Sequence, residues 1–276
     1  MAKQVIKKIK SEVKKTSSFT VVANWKENLG DSAASKVASQ IVSSYSKING
    51  APNLVLCPPF TVLREVAEAL QGTGVALGSQ DVSCAADGAH TGEVSATMVR
   101  AAGCSYAIIG HSERRHELGE TDELVNRKIL LAVAAGLTPI LCVGETWEER
   151  QEFKSELVVM RQLQAALSGL VLPERRRLLV AYEPRWAIGS GNPVEPDEAA
   201  HIAHLIRHIA VDGEHYGFSC DNPDQQIGVL YGGSVTAENI TDFIIPGIIH
   251  GALVGGASLT ITSFMTLVRV VAGRIR

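Results

Sequence analysis

Four stretches of the sequence carry residue types suited to chemistry on a small anionic substrate. Asn24-Trp25-Lys26 closes a β-type run and offers a compact cation to an anionic group. Taken alone, that lysine reads more readily as a surface residue. Gly110-His111-Ser112-Glu113-Arg114-Arg115 comes after another such run. A histidine facing a helix start can stay neutral, because the helix dipole disfavours its cation, and a neutral imidazole can polarise a carbonyl oxygen. A structural histidine in a charged turn fits the same residues equally well. Tyr182-Glu183-Pro184-Arg185-Trp186-Ala187-Ile188-Gly189-Ser190-Gly191 places a carboxylate at the end of a third run, where it could work as a base. The segment after Glu183 has the composition of a lid: Pro184 at one end, Gly189 and Gly191 at the other, and an apolar middle to exclude water. An ordinary glycine-containing loop is the alternative. The fourth stretch is a pair, Gly232-Gly233-Ser234 and Gly255-Gly256-Ala257. Glycines let backbone N–H groups approach a phosphate closely. One Gly-Gly can be a tight turn; two after successive strands point more specifically to a phosphate site.

Positioning these residues requires strands that end at one common face. Strand candidates are Phe19–Trp25, Asn53–Cys57, Val75–Gly78, Tyr106–Ile109, Thr138–Val143, Leu178–Tyr182, Ile227–Tyr231 and Gly251–Val254. They are rich in Val, Ile and Leu and show little polar alternation, the pattern of strands buried on both faces of a parallel sheet. Helical stretches alternate with them, among them Asp31–Lys47, Thr61–Leu70, Asp122–Ala135, Glu148–Leu167 and Pro196–Val211. Asp31 and Ser32 are suited to cap the first, and Gly136 to end the third. In the last, Ile202, Leu205, Ile206 and Ile209 form an inward apolar stripe. This is an α/β chain. Eight strand–helix units fit a closed (β/α)8 barrel, eight parallel strands ringed by helices; an open doubly wound sheet is the alternative.

The chain of 276 residues, 46% hydrophobic and 20% charged, suits one such barrel with a sizeable core. The formal net charge of -3 lacks the basic balance of a nucleic-acid-binding protein. Charge is unevenly spread. Residues 1–19 carry Lys3, Lys7, Lys8, Lys10, Lys14 and Lys15 against Glu12 alone, and the remaining 20 basic and 28 acidic residues give -8. Residues 1–18 are therefore expected to form a flexible basic extension, with 19–276 a single catalytic barrel. As a helix, the extension would gather Val5, Ile6, Ile9 and Val13 on one arc opposite its lysines, so contact with an anionic surface or a partner helix stays open. A transit peptide fits poorly, because the segment has no arginine. No apolar run approaches the ~20 residues of a membrane span. Five scattered cysteines without a C-x-x-C pair suggest reduced thiols and a cytoplasmic location.

Together the motifs resemble the triosephosphate isomerase family. The matching stretches are Asn24-Trp25-Lys26, Ile109 to Arg115, Ala181-Tyr182-Glu183-Pro184, Trp186-Ala187-Ile188-Gly189, Tyr231-Gly232-Gly233-Ser234-Val235 and Leu253 to Leu259. The likeness covers about residues 19–272, in the family's order. It implies a TIM barrel that interconverts dihydroxyacetone phosphate and D-glyceraldehyde 3-phosphate through an enediolate, in glycolysis and gluconeogenesis. It also implies roles. Glu183 would move the carbon-bound proton. Neutral His111 would serve the enediolate oxygens, Lys26 would supply charge, and Asn24 would help hold the oxygen end. Glu113 would be the supporting acid, and N–H groups of Gly189, Ser234, Gly255 and Gly256 would cradle the phosphate. No metal or organic cofactor is implied. The family's usual homodimer would form through the loop Gly88-Ala89-His90-Thr91-Gly92-Glu93, with Thr91 at its tip. The competing readings are another phosphate-binding barrel, such as a lyase of amino-acid biosynthesis, and a barrel kept as a binding scaffold. Neither predicts His111-Ser112-Glu113 together with the Glu183 segment.

Several residues depart from the family's pattern. Glu27 stands where methionine is usual and His90 where phenylalanine is usual, either coupled across a dimer or substituted independently. Arg185 replaces a small apolar residue and is expected to point to solvent, and Ser190 replaces threonine. His201, His204 and His208 share one helix edge; with no cysteine or acid to complete a shell, a solvated flank suits them better than a metal site. Cys142 and Cys57 read as small core residues, and Cys220 as the most exposed thiol.

Overall fold

The structure, a computed structural model, describes residues 19–30, 33–213 and 217–275. The basic extension over 1–18 and the proposed cap residues Asp31 and Ser32 lie outside these. Eight parallel strands run at Thr20–Asn24 (β1), Asn53–Cys57 (β2), Ala76–Ser79 (β3), Tyr106–Ile109 (β4), Thr138–Val143 (β5), Leu178–Tyr182 (β6), Ile227–Tyr231 (β7) and Gly251–Val254 (β8). Their order around the ring is β1-β8-β7-β6-β5-β4-β3-β2, and it is closed. β1 bonds on both sides: Asn24 aligns with Cys57 of β2 and Ala23 with Val254 of β8. That second pairing excludes the open sheet, which would leave β1 or β8 with an unpaired edge.

The strands are buried on both faces, as their composition demands. Side chains alternate across the pleat. Val22, Val55, Cys57, Ile108, Ile140, Cys142, Leu179, Ala181, Leu230 and Leu253 fill one cluster inside the barrel. Their neighbours, such as Val21, Leu54, Leu141 and Val180, belong to a second, larger cluster with the surrounding helices. The parity decides what reaches the rim: Asn24 continues the inward row after Val22, and Glu183 continues the row of Leu179 and Ala181.

The outer helices obey their local signals. Thr121, Thr146 and Thr260 each accept a backbone N–H at a helix start, and Thr146 completes a capping box with Glu149. The helix over Pro196–Val211 buries Ile202, Ile206 and Ile209 inward as expected, while Leu205 of the same expected stripe is only partly buried. The single helix expected over Glu148–Leu167 is two, Trp147–Gln151 and Ser155–Leu167. The break falls at Phe153, which adopts a left-handed φ of 57° with its side chain almost wholly in solvent. No glycine or proline marks it, so the apolar periodicity runs through unbroken. Between β7 and β8 a 3-10 turn at Ile240–Phe243 stands in for a full helix. Phe243 stacks on Tyr231 with ring centroids 3.8 Å apart.

A buried ionic cluster joins the ends of β3 and β4. Lys128 Nζ donates to Asp81 at 2.7 and 2.8 Å and also to Glu120. Arg114, on the helix after β4, reaches Asp81 at 3.0 Å and Glu120 at 2.6 Å. Burial outweighs these cations at Asp81 and pushes its carboxyl up to about 6. Removing Lys128 would leave two buried carboxylates sharing the one remaining cation, Arg114, so Lys128→Met should destabilise the fold by about 3 kcal/mol in urea titration. The raised carboxyl favours folding below about pH 4, its ordinary range, and that contribution is lost as pH rises through about 6. Stability measured from pH 4 to 7 should lose this component in Asp81→Asn.

Candidate active site

The residues that the sequence singled out converge at the C-terminal ends of the strands. Asn24, Lys26, His111, Glu183, Gly189, Ser234, Gly255 and Gly256 all line one cavity of about 260 Å³. Glu113 does not line it but pairs with Lys26, Nζ to Oε1 at 2.5 Å. The loop carrying Thr91 is exposed along residues 88–93, and Glu27 is exposed as well.

His111 is buried and caps the helix Ser112–Glu117. Its Nδ1 accepts the Glu113 backbone N–H at 3.3 Å. Nδ1 also lies 3.5 Å from Glu113 Oε2, but the backbone donor is fixed by the helix start, whereas that carboxylate is 41% exposed and its other oxygen accepts from Lys26. Nδ1 is therefore the acceptor and Nε2 carries the proton. That Nε2 lies 3.3 Å from Glu183 Oε1. The other Glu183 oxygen accepts the Ser112 N–H at 3.2 Å. Glu183 is almost wholly buried at 2% exposure, among the least solvated carboxylates of the chain. Gly232 is shaped around it: a Cβ there would sit 2.7 Å from Glu183 Cγ.

Lys26 has a left-handed φ of 52°, a conformation that costs a non-glycine residue about 1–2 kcal/mol. Side chains on either side fix it. Asn24 Oδ1 accepts its N–H at 3.0 Å, and Gln80 Nε2 donates to its carbonyl at 2.8 Å and to that of Cys57 at 2.9 Å. Burial raises the Glu113 carboxyl, but the Lys26 hydrogen bond and charge, with the nearby Arg185, outweigh it and hold the group below the usual range. Glu113 thus stays ionised opposite Lys26.

Sequence reasoning missed Gln80 and Glu145. Each comes within two residues of a strand's end, where a barrel collects its functional groups, and that position was the available signal. Glu145 is fully buried and accepts the Tyr182 hydroxyl and, at 2.9 Å, the Trp186 indole N–H. Arg185, expected in solvent, is 37% exposed and also reaches Glu117, 3.8 Å away at the end of the helix that His111 caps. Cys142 and Cys57 are core thiols, and burial pushes both well above the ordinary cysteine value. Cys220 is only partly exposed and shares that status with Cys84. His201 sits on Glu156 at 2.7 Å. Among the described residues, no three His, Cys, Asp or Glu side chains are grouped to hold a metal ion.

A closed ring of parallel strands, with its buried polar groups gathered where the strands end, defines a (β/α)8-barrel enzyme. The triosephosphate isomerase family model matches residues 19–271. The chain is 41% identical to the triosephosphate isomerase of Endomicrobium trichonymphae, over 90% of this chain and 97% of that protein. It is 43% identical to that of Symbiobacterium thermophilum, over 90% and 94%. The crystal structure of triosephosphate isomerase from Bartonella henselae superposes with a TM-score of 0.77 at 34% identity, covering 92% of this chain and 98% of that one. The chain belongs to the triosephosphate isomerase family, and its activity is the interconversion of dihydroxyacetone phosphate and D-glyceraldehyde 3-phosphate.

Because the space beside Glu183 admits no Cβ at position 232, Gly232→Ala should displace the carboxylate. Turnover should fall by roughly 10²-fold with the circular dichroism spectrum unchanged. Unimpaired turnover would show that Glu183 tolerates the shift.

Proposed function

We propose that Glu183 is the base of this isomerase and His111 its neutral electrophile. The proton arrangement on His111 carries the reading: an Nδ1 occupied by a backbone N–H leaves Nε2–H as the donor on the cavity side. Glu183 takes a proton from the carbon beside the carbonyl. Negative charge then develops on the carbonyl oxygen, where the His111 Nε2–H and the Lys26 ammonium meet it. Asn24 holds the oxygen end. His111 passes its proton to one enediolate oxygen and recovers one from the other. Glu183 then returns its proton to the neighbouring carbon. Protons and charge balance without a cofactor. Glu113 keeps Lys26 in register, and backbone N–H groups of Gly189, Ser234, Gly255 and Gly256 hold the phosphate.

The segment from Pro184 to Gly191 acts as a lid. A carboxylate stripped of water is a stronger base, and a closed cavity keeps the enediolate from expelling phosphate. The chain works as a homodimer through the exposed Thr91 loop, in the cytoplasm, with residues 1–18 as an appended extension. Among the described residues, no helix is long and apolar enough to cross a membrane.

Conversion of D-glyceraldehyde 3-phosphate should fall by about 10³-fold or more in Glu183→Ala and by about 10²-fold in His111→Gln, the range for general acid–base groups. A Glu183→Ala protein with near-normal turnover would dismiss the base assignment. Thr91→Arg should yield monomers in sedimentation with reduced turnover; an unchanged dimer would move the interface elsewhere.

A further inference from the structure

The segment after Glu183 is gripped at its leading end by groups that play no part in the proton transfers. Trp186 lies in the short 3-10 turn Arg185–Ala187. Its indole N–H is tied in the ring plane to buried Glu145. The Arg150 guanidinium lies 4.3 Å from the ring centroid. Trp147 meets the same ring edge-on, with centroids 5.8 Å apart and planes at 60°. Arg150 is itself fixed, because its two terminal nitrogens fork onto both carboxylate oxygens of Glu198, one at 2.7 Å. Glu198 sits in the first turn of the helix Pro196–Val211.

The wiring has a direction. Trp147 and Arg150 belong to the short helix after β5, capped at Thr146. Glu198 belongs to the helix that takes over where the segment ends. The Arg150–Glu198 fork therefore joins the start of the segment, through Trp186, to the element beyond its end. Nothing in the core requires Trp147 there: its side chain is 48% exposed and completes no hydrophobic cluster. Arg150 and Glu198 are only partly buried, so burial alone does not explain a bidentate pair stacked on an indole.

We infer that Trp147 and the Arg150–Glu198 pair are positioning residues for the lid, holding Trp186 so that the closed cavity outlives the enediolate. The inference rests on the proposed roles of Glu183 and the lid. A lid that opens too soon lets water reach the enediolate, which then decomposes by a balanced route. The C–O bond to phosphate breaks and its electron pair leaves with inorganic phosphate. The remaining enol takes a proton from solvent at its terminal carbon, gives up its hydroxyl proton and becomes methylglyoxal, with no further reagent. Phosphate released per isomerisation therefore reports on lid positioning, and a purely structural contact would not move it.

The test compares Trp147→Leu, Glu198→Gln and Arg150→Met with the unaltered full chain. kcat, KM and inorganic phosphate release from dihydroxyacetone phosphate are measured, and melting curves establish folding. Each variant should raise phosphate release per turnover by roughly threefold to tenfold, the size expected from losing one cation–π or aromatic-edge contact. kcat should fall by a similar factor. Trp147→Phe keeps an aromatic edge and Arg150→Lys keeps a cation, and each should restore part of the loss. Folded variants with unchanged phosphate release and kcat within about twofold would overturn the clamp. A Glu183→Ala enzyme that still isomerised would instead overturn the base assignment, so the two failures are distinguishable.

Discussion

Everything at the site depends on the ring closing. β1 bonds to β2 on one side and β8 on the other, and the pleat then leaves each strand only two directions in which to send side chains. The outward row packs against helices. The inward row fills the barrel with Val, Ile, Leu and Cys until the strands end. There the same row continues as Asn24 on β1 and as Glu183 beyond β6, and the loops after β4, β7 and β8 arrive around the same rim. A one-residue slip at β6 would turn Glu183 toward the helices and Tyr182 into the barrel. The pairing of Tyr182 with Tyr231 and of Leu178 with Ile227 prevents that slip.

Holding polar groups at a dry rim takes a partner for each. His111 meets a helix N–H, Glu183 meets the Ser112 N–H, Lys26 meets Glu113, and the strained backbone at Lys26 is held by Asn24 and Gln80. An unpaired buried group would cost more than any one of these contacts contributes. In the proposed mechanism the partners also preset the chemistry. A base with low water contact and a donor whose tautomer is already chosen need little rearrangement when charge moves onto a substrate oxygen.

Strand positions were legible almost to the residue. Strands buried on both faces have few choices of composition, and runs such as Thr138–Val143 and Ile227–Tyr231 end abruptly at polar or glycine residues. Glu183, His111 and Lys26 were legible because their types are unusual just past such runs. Gln80 and Glu145 were not, since they act by holding other groups and an amide or a carboxylate after a strand has many uses. The break at Phe153 left no mark, because a left-handed aromatic residue is chosen by its surroundings and not by its own preference. Arg185 was read as solvated because Glu117, its neighbour in space, lies 68 positions away in the chain.

The proposed catalysis by Glu183 and His111 stands most directly on the tautomer of His111. Nitrogen-15 NMR of protein labelled at histidine, read at pH 7.5 with and without inorganic phosphate, would report it. The proposed mechanism predicts a neutral ring with the proton on Nε2 and Nδ1 bare. A proton on Nδ1, or on both nitrogens, would contradict it, because no donor would then be preset toward the oxygen that Glu183 renders negative.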